Sequence, residues 1–210
     1  MTTPKNVKSP PKPSMPPDLT FAGRLAGTLL GICAAAALLL GVTNYYTAPV
    51  ISRLQAERTR AAMSQVLAAG TYEELSLDVP GVTAFYAAYN GSVCAGYVAE
   101  TSASGSQGPI NLVVGIDVDG NVTGVSVTSH KETANLGTKV VGSQAVLDRF
   151  IGMNLQAGEI TVNSGSNRVD GVSGATITAK GVAAGVNAAL NAYARRDEAA
   201  PLTGAAGENT

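Results

Sequence analysis

The apolar and polar positions change rhythm several times along the chain. Leu25 to Val42 is free of charge for about 18 residues, enough to cross a hydrocarbon core at roughly 1.5 Å per residue. Tyr45 and Tyr46 follow directly, as aromatic anchors at a membrane interface do. Gly27 and Gly31 have the spacing of close helix–helix contact in a bilayer. A buried core helix would show a polar face, and a signal peptide has a shorter apolar run and a small-residue cleavage site. The pattern therefore predicts an uncleaved transmembrane helix over 21–46. Pro49 to Ala69 predicts a short amphipathic linker helix over 47–70, with Ile51, Leu54, Met63, Val66 and Leu67 on a partial apolar face.

Beyond this point the period shortens. "TAFYAAYNGSVCAGYVAE" holds two apolar-aromatic runs around Asn90-Gly91, a strong two-residue hairpin signal. Cys94, in the second run, reads as a small core residue. "TSASGSQGP", 101–109, reads as a flexible loop. A second hairpin follows, in which Ile110, Leu112, Val114, Ile116 and Val118 alternate with Asn111, Val113, Gly115 and Asp117 before a turn at Asp119-Gly120-Asn121. Ser143 is placed to cap a short helix bearing Val146, Leu147, Phe150 and Ile151. "EITVN", 159–163, predicts a strand. Val182, Val186, Leu190 and Tyr193 then mark one face of a longer helix. The fold class is α+β, an antiparallel sheet with packed helices, in a domain over 71–194 behind a single N-terminal transmembrane helix.

Composition adds the two ends and removes some functions. Pro, Lys and Ser dominate residues 1–20, and 195–210 ends in small and polar residues, so both tails are expected to be disordered. Charged residues make up 14% of the 210, against roughly 25% in a typical soluble domain. The net charge of −1, with no basic block, speaks against nucleic acid. Cys33 and Cys94 lie in unrelated contexts and there is one His, so no metal cluster or disulfide framework is expected. "DVDGN", 117–121, lacks the remaining ligands of a calcium loop. Lys5, Lys8, Lys12 and Arg24 before the span are balanced by Arg53, Arg58 and Arg60 after it, so charge leaves the orientation open.

The chemistry concentrates in "VDGVSGATITAKGV", 169–182. Asp170-Gly171-Val172 makes a turn, Ser173-Gly174-Ala175 leads into a helix, and Thr176 sits in or beside its first turn. The first N–H groups of a helix lack partners within it, and the macrodipole leaves partial positive charge there. A phosphate at that place gains both, and Gly174 lets a bulky group come close to the backbone. Plain capping by Ser173 or Thr176 explains the same spacing.

"DGVSGATIT" resembles the flavinylation motif of the FMN-binding domain family. "SHKETANLG", Ser129 to Gly137, is similar to a second element of that family, and the strand "VVGIDVDGNVTGVSV" matches it as well. Behind one membrane span, the two elements in this order resemble the G subunits of Rnf ion-translocating electron-transport complexes. The resemblance covers residues 21 to about 194. Where the family commonly has Pro-Gly after Glu-Thr, this chain has Ala134-Asn135, and Asn tolerates a left-handed bend better than most residues.

The resemblance implies FMN joined through its phosphate to Thr176, with Thr178 as the second choice. The ester would be made by a separate flavin transferase, with Ser173, Gly174 and Ala175 around it and Asp170 positioning the motif. It implies that Glu132 or Thr133 bonds polar groups of the flavin and that Leu136 covers its apolar part, with Gly137 closing the element. His130 is expected to be structural. The protein supplies position and electrostatics, and no catalytic side chain of its own is expected. The implied role is an electron-transfer subunit, without independent turnover, in a bacterial inner-membrane complex. Its partners are the other membrane and peripheral Rnf subunits. The complex couples ferredoxin and NAD redox chemistry to Na⁺ or H⁺ translocation, with the flavin domain outside and the Lys-rich tail in the cytoplasm. Rival readings are the C subunit of the Na⁺-translocating NADH:quinone reductase and a flavin-free anchored scaffold.

Overall fold

A computed structural model describes residues 19–201. The described residues divide into two compact units, one up to Ser52 and one from Arg53 onward. The span and the linker predicted separately are one continuous helix, α1, Leu19–Val66. Pro49 lies inside it and withholds one backbone donor, yet the helix continues, as apolar helices often do around proline. Among the described residues, this is the one helix long and apolar enough to cross a membrane.

The second unit is built on a six-stranded sheet. Its strands are β1 Thr71–Ser76, β2 Val82–Asn90, β3 Val93–Ser104, β4 Pro109–Ile116, β5 Val122–Ser129 and the late β8 Ala200–Pro201. The order is β5-β4-β3-β2-β1-β8, and every pairing is antiparallel. Between β5 and β8 come α2 Thr138–Val141, α3 Gln144–Leu147, the two-residue strands β6 Thr161–Val162 and β7 Arg168–Val169, and α4 Thr176–Ala194.

One sheet face packs on α4. Val182, Val186 and Leu190 are buried there with Phe85, Ala99, Leu112 and Val114. Each of these Val, Leu and Phe side chains contributes about 1.5–3 kcal/mol by leaving water. The other face packs on the last turns of α1, where Ala62, Met63 and Val66 meet Val98 and Val113. This second layer buries Val113, which alternation alone assigns to the polar side. The Thr123 hydroxyl donates to the Val66 carbonyl at 2.6 Å and so occupies one of the acceptors left over at the end of α1.

Several expectations are corrected. Residues 101–104 are strand, paired with β4 out to Ser104↔Pro109, and Thr101 is buried; only the turn after Ser104 is loop. Thr-Ser-Ala-Ser reads as loop by composition, but its neighbour strand supplies the ladder. The hairpin pairs Asn90 with Val93, so the two-residue turn is Gly91-Ser92, one position later than expected. Cys94 is half-buried rather than core. Ser143 precedes α3 without a side-chain cap bond, and Ile151 is exposed. The predicted 159–163 strand shortens to β6, which pairs in parallel with β7. The C-terminal segment is ordered as far as Pro201. Arg195 bridges Glu198 at 2.7 Å and donates to the Asp78 carbonyl at 3.1 Å, and β8 then pairs with β1. The tails expected over 1–20 and 195–210 otherwise lie outside the described residues, apart from Leu19 and Thr20, which begin α1.

Candidate functional site

The flavinylation-like motif runs from β7 into α4. Asn163 has φ 62° and its side-chain oxygen accepts the Gly171 N–H at 2.7 Å. Arg149 donates to the Asp170 carbonyl at 2.8 Å. Asn187, within α4, bonds both backbone groups of Ile160 at 2.9 Å. These contacts hold the turn against the helix it feeds. Gly174 then adopts φ +79°, a left-handed conformation that glycine takes without penalty.

The helix starts two residues later than a cap at Ser173 would place it. Its N-cap is Ala175, with no side-chain cap bond, and Thr176 is the first helical residue. Capping by Ser173 or Thr176, the simpler reading of the sequence, is therefore not what these residues do. The start of a 19-residue helix is left without a side-chain acceptor, beside a glycine that leaves room.

The two threonines are sharply different. Thr176 is exposed. Thr178 is 1% exposed, and its hydroxyl donates to Glu132 Oε2 at 2.6 Å. Glu132 itself is 8% exposed, and its Oε1 accepts the N–H groups of Ser106 at 2.7 Å and Gln107 at 3.1 Å. Burial alone pushes the Glu132 pKa up. The bonds from Thr178, Gln107 and Ser106, with the nearby His130, outweigh it and hold the carboxyl below its ordinary value. The His130 ring accepts the Glu132 N–H at 3.2 Å, a structural contact. Asn135 takes φ 62°, so the bend expected at Ala134-Asn135 is present, and its N–H donates to Thr138 Oγ1 at 2.9 Å.

These segments enclose a pocket of about 250 Å³. Glu132, Thr133, Leu136 and Gly137 line one side, and Gly174, Ala175, Thr176 and Thr178 line the other. Two motifs some forty residues apart in sequence thus meet in one cavity. Asp170 and Ser173 lie outside its lining. Ser106 and Ile177 belong to it and escaped the sequence reading. Nothing local marks Ser106, whereas Ile177 was legible as the residue between the two threonines. Leu136 and Ile177 are both well exposed, at 50% and 62%, and add apolar surface to the lining that also holds Thr176. The volume is below the usual range for whole-ligand pockets, so a flavin held here would remain partly outside. A larger groove of about 1100 Å³ lies on the other sheet face and contains none of the predicted site residues. Among the described residues no group of His, Cys, Asp and Glu is arranged to hold a metal.

Residues 105–191 match the family described as FMN-binding domain. The chain is 30% identical, over 84% of its length and 93% of the relative's, to the G subunit of the Na⁺-translocating ferredoxin:NAD⁺ oxidoreductase complex of Acetobacterium woodii. It is 32% identical, over 78% and 90%, to the G subunit of the ion-translocating oxidoreductase complex of Methanosarcina acetivorans. A solved structure, the C subunit of the Na⁺-translocating NADH-quinone reductase from Parabacteroides distasonis, aligns over 53% of this chain and 61% of its own at 24% identity, with a TM-score of 0.45.

Proposed function

Since the chain belongs to the family of G subunits of ion-translocating oxidoreductase complexes, we propose that it is the FMN-carrying electron-transfer subunit of a Rnf-type membrane complex. That complex couples ferredoxin and NAD redox chemistry to Na⁺ or H⁺ translocation. The observation that carries the reading is the helix start at Ala175. It has no side-chain cap, an exposed threonine hydroxyl as its first residue, and a pocket lined by both family-like elements.

FMN is held by its phosphate, as an ester on the Thr176 oxygen, with loss of one water relative to free FMN and chain. Thr178 is a poor acceptor for that group, because its hydroxyl is buried and already bonded. The N–H groups at the start of α4, which lack a side-chain cap, would hold the phosphate, and the helix dipole favours its charge. Gly174 leaves space for it. Leu136 and Ile177 would cover the apolar part of the ring system. The flavin, when bound, supplies the electron-accepting and electron-donating chemistry, and the chain supplies attachment and surroundings. A partly exposed cofactor suits a subunit that exchanges electrons with neighbouring subunits rather than with a soluble substrate.

α1 anchors the subunit in the bacterial inner membrane as a single pass, among other membrane subunits. The flavin domain faces the extracytoplasmic side, where a covalent bond prevents loss of the cofactor, and a separate flavin transferase makes that bond. Expression with and without the transferase, followed by a denaturing gel, tests the reading. A fluorescent band that requires Thr176 and the transferase is expected. A chain that never fluoresces when matured in its native host would instead support a flavin-free scaffold.

A further inference from the structure

We propose that Glu132 is a positioning residue whose buried carboxylate ties three separate chain segments into the flavin pocket, with Thr178 serving as its donor. This deepens the reading of the pocket as an FMN site and rests on it.

The geometry converges on one group. Glu132 Oε1 receives two consecutive backbone N–H groups from the turn after β3, 25 and 26 residues upstream. Oε2 receives the Thr178 hydroxyl from the first turn of α4, 46 residues downstream. A carboxylate this buried is costly unless its oxygens are hydrogen-bonded. Here three donors from two distant segments meet that need. The surroundings are also cut to its shape. A Cβ on Gly105 would collide with Oε1, and one on Gly137 would collide with Oε2.

The consequence for function is indirect. Ser106 lines the pocket, and so does the first turn of α4, which carries Thr176. Across the gap between them, Glu132 is the side chain that bonds to both. The turn after β3 otherwise keeps one local backbone bond, Gly105 N–H to the Gly108 carbonyl at 2.8 Å. Without the carboxylate, the wall and the attachment turn can move independently, and the fraction of chains ready for flavinylation falls.

The test uses the full chain, co-expressed with a flavin transferase and sampled over time for covalent fluorescence. Amide hydrogen exchange is read in parallel on the unloaded chain. Thr178→Val keeps the shape and removes the donor, and Glu132→Ala removes the acceptor. Each is expected to slow loading about tenfold or more and to speed exchange at 105–108. Thr178→Ser and Glu132→Gln retain the hydroxyl or an acceptor oxygen and are expected to load close to the unmodified chain. The double variant is expected to be no slower than Glu132→Ala, because the bond lost in Thr178→Val is already one of the three lost in Glu132→Ala. If Thr178→Val loads at the normal rate with unchanged exchange, or if the two effects add, the proposal is overturned. Persistence of fluorescence in Thr176→Val is a different failure. It would remove the attachment reading and leave the exchange result to decide on the clamp.

Discussion

Gly181→Ala sets two opposed effects against each other in α4, and their sizes give the outcome. In a helix interior, alanine is favoured over glycine by about 0.8–1.0 kcal/mol. At this position, however, the added Cβ would lie 2.6 Å from the Ser104 carbonyl oxygen and 3.3 Å from its carbon. That neighbour is backbone at the end of β3, held in register by Ser104↔Pro109, so it cannot rotate away as a side chain would. Overpacking of this kind costs about 1–3 kcal/mol, and contact with fixed backbone belongs in the upper part of the range. The net expectation is a loss of about 1–2 kcal/mol. For a domain of this size that lowers the melting temperature by about 2–8 °C. The assay is thermal unfolding of the full chain in detergent, followed by circular dichroism. Lys180→Ala, at an exposed neighbouring position, is the control and should shift by no more than about 0.5 kcal/mol. Because Ser104 leads directly into the turn that lines the pocket, Gly181→Ala should also load less flavin. A melting temperature equal to or above that of the unmodified chain would mean that propensity wins and that α4 does not press on β3 as described.

Gly174→Ala should destabilise by about 1–2 kcal/mol through its positive φ alone, since Leu136 sits at ordinary contact distance, 3.7 Å, from the new Cβ; thermal unfolding reads it, and no loss would contradict the left-handed turn. Leu190→Ala, in the fully packed face of α4, should cost about 2–5 kcal/mol by denaturant titration. Glu132 links stability to pH. Its folded pKa lies below the ordinary 4.5 because its hydrogen bonds outweigh burial, so its contribution is whole above the unfolded value and is lost as pH falls through the folded one. Glu100 acts with the opposite sign. Burial raises its pKa despite the bond from Tyr86, so protonation in acid relieves it. The measurement is therefore a difference: between pH 7 and pH 3 the unmodified chain should lose more stability than Glu132→Gln, and parallel curves would contradict the assignment. Arg149→Ala frees the Asp170 carbonyl and should cost about 0.5–1.5 kcal/mol, with a matching fall in loading yield.

Much of this architecture was legible because local patterns and tertiary demands agree. The uncharged run and the Val182, Val186, Leu190 face are set by burial, which hydropathy records directly. The bend at Asn135 was readable from one residue's tolerance of positive φ. The misses have a common source in partners far away in sequence. Thr101 to Ser104 look like loop until β4 is beside them. Val113 looks misplaced until the end of α1 covers it. Ser106 carries no motif at all, because its role comes from a backbone N–H aimed at Glu132, 26 residues on. The distinction between Thr176 and Thr178 is of the same kind. Both are threonines in one short motif, and only the fold buries one and leaves the other at the surface.

The most direct test of the account is tandem mass spectrometry of the peptide containing Thr176 and Thr178, from protein matured in its native membrane. The peptide is expected to carry the mass of FMN less one water, with fragment ions placing it on Thr176. An unmodified peptide, or fragments placing the group on Thr178, would contradict it.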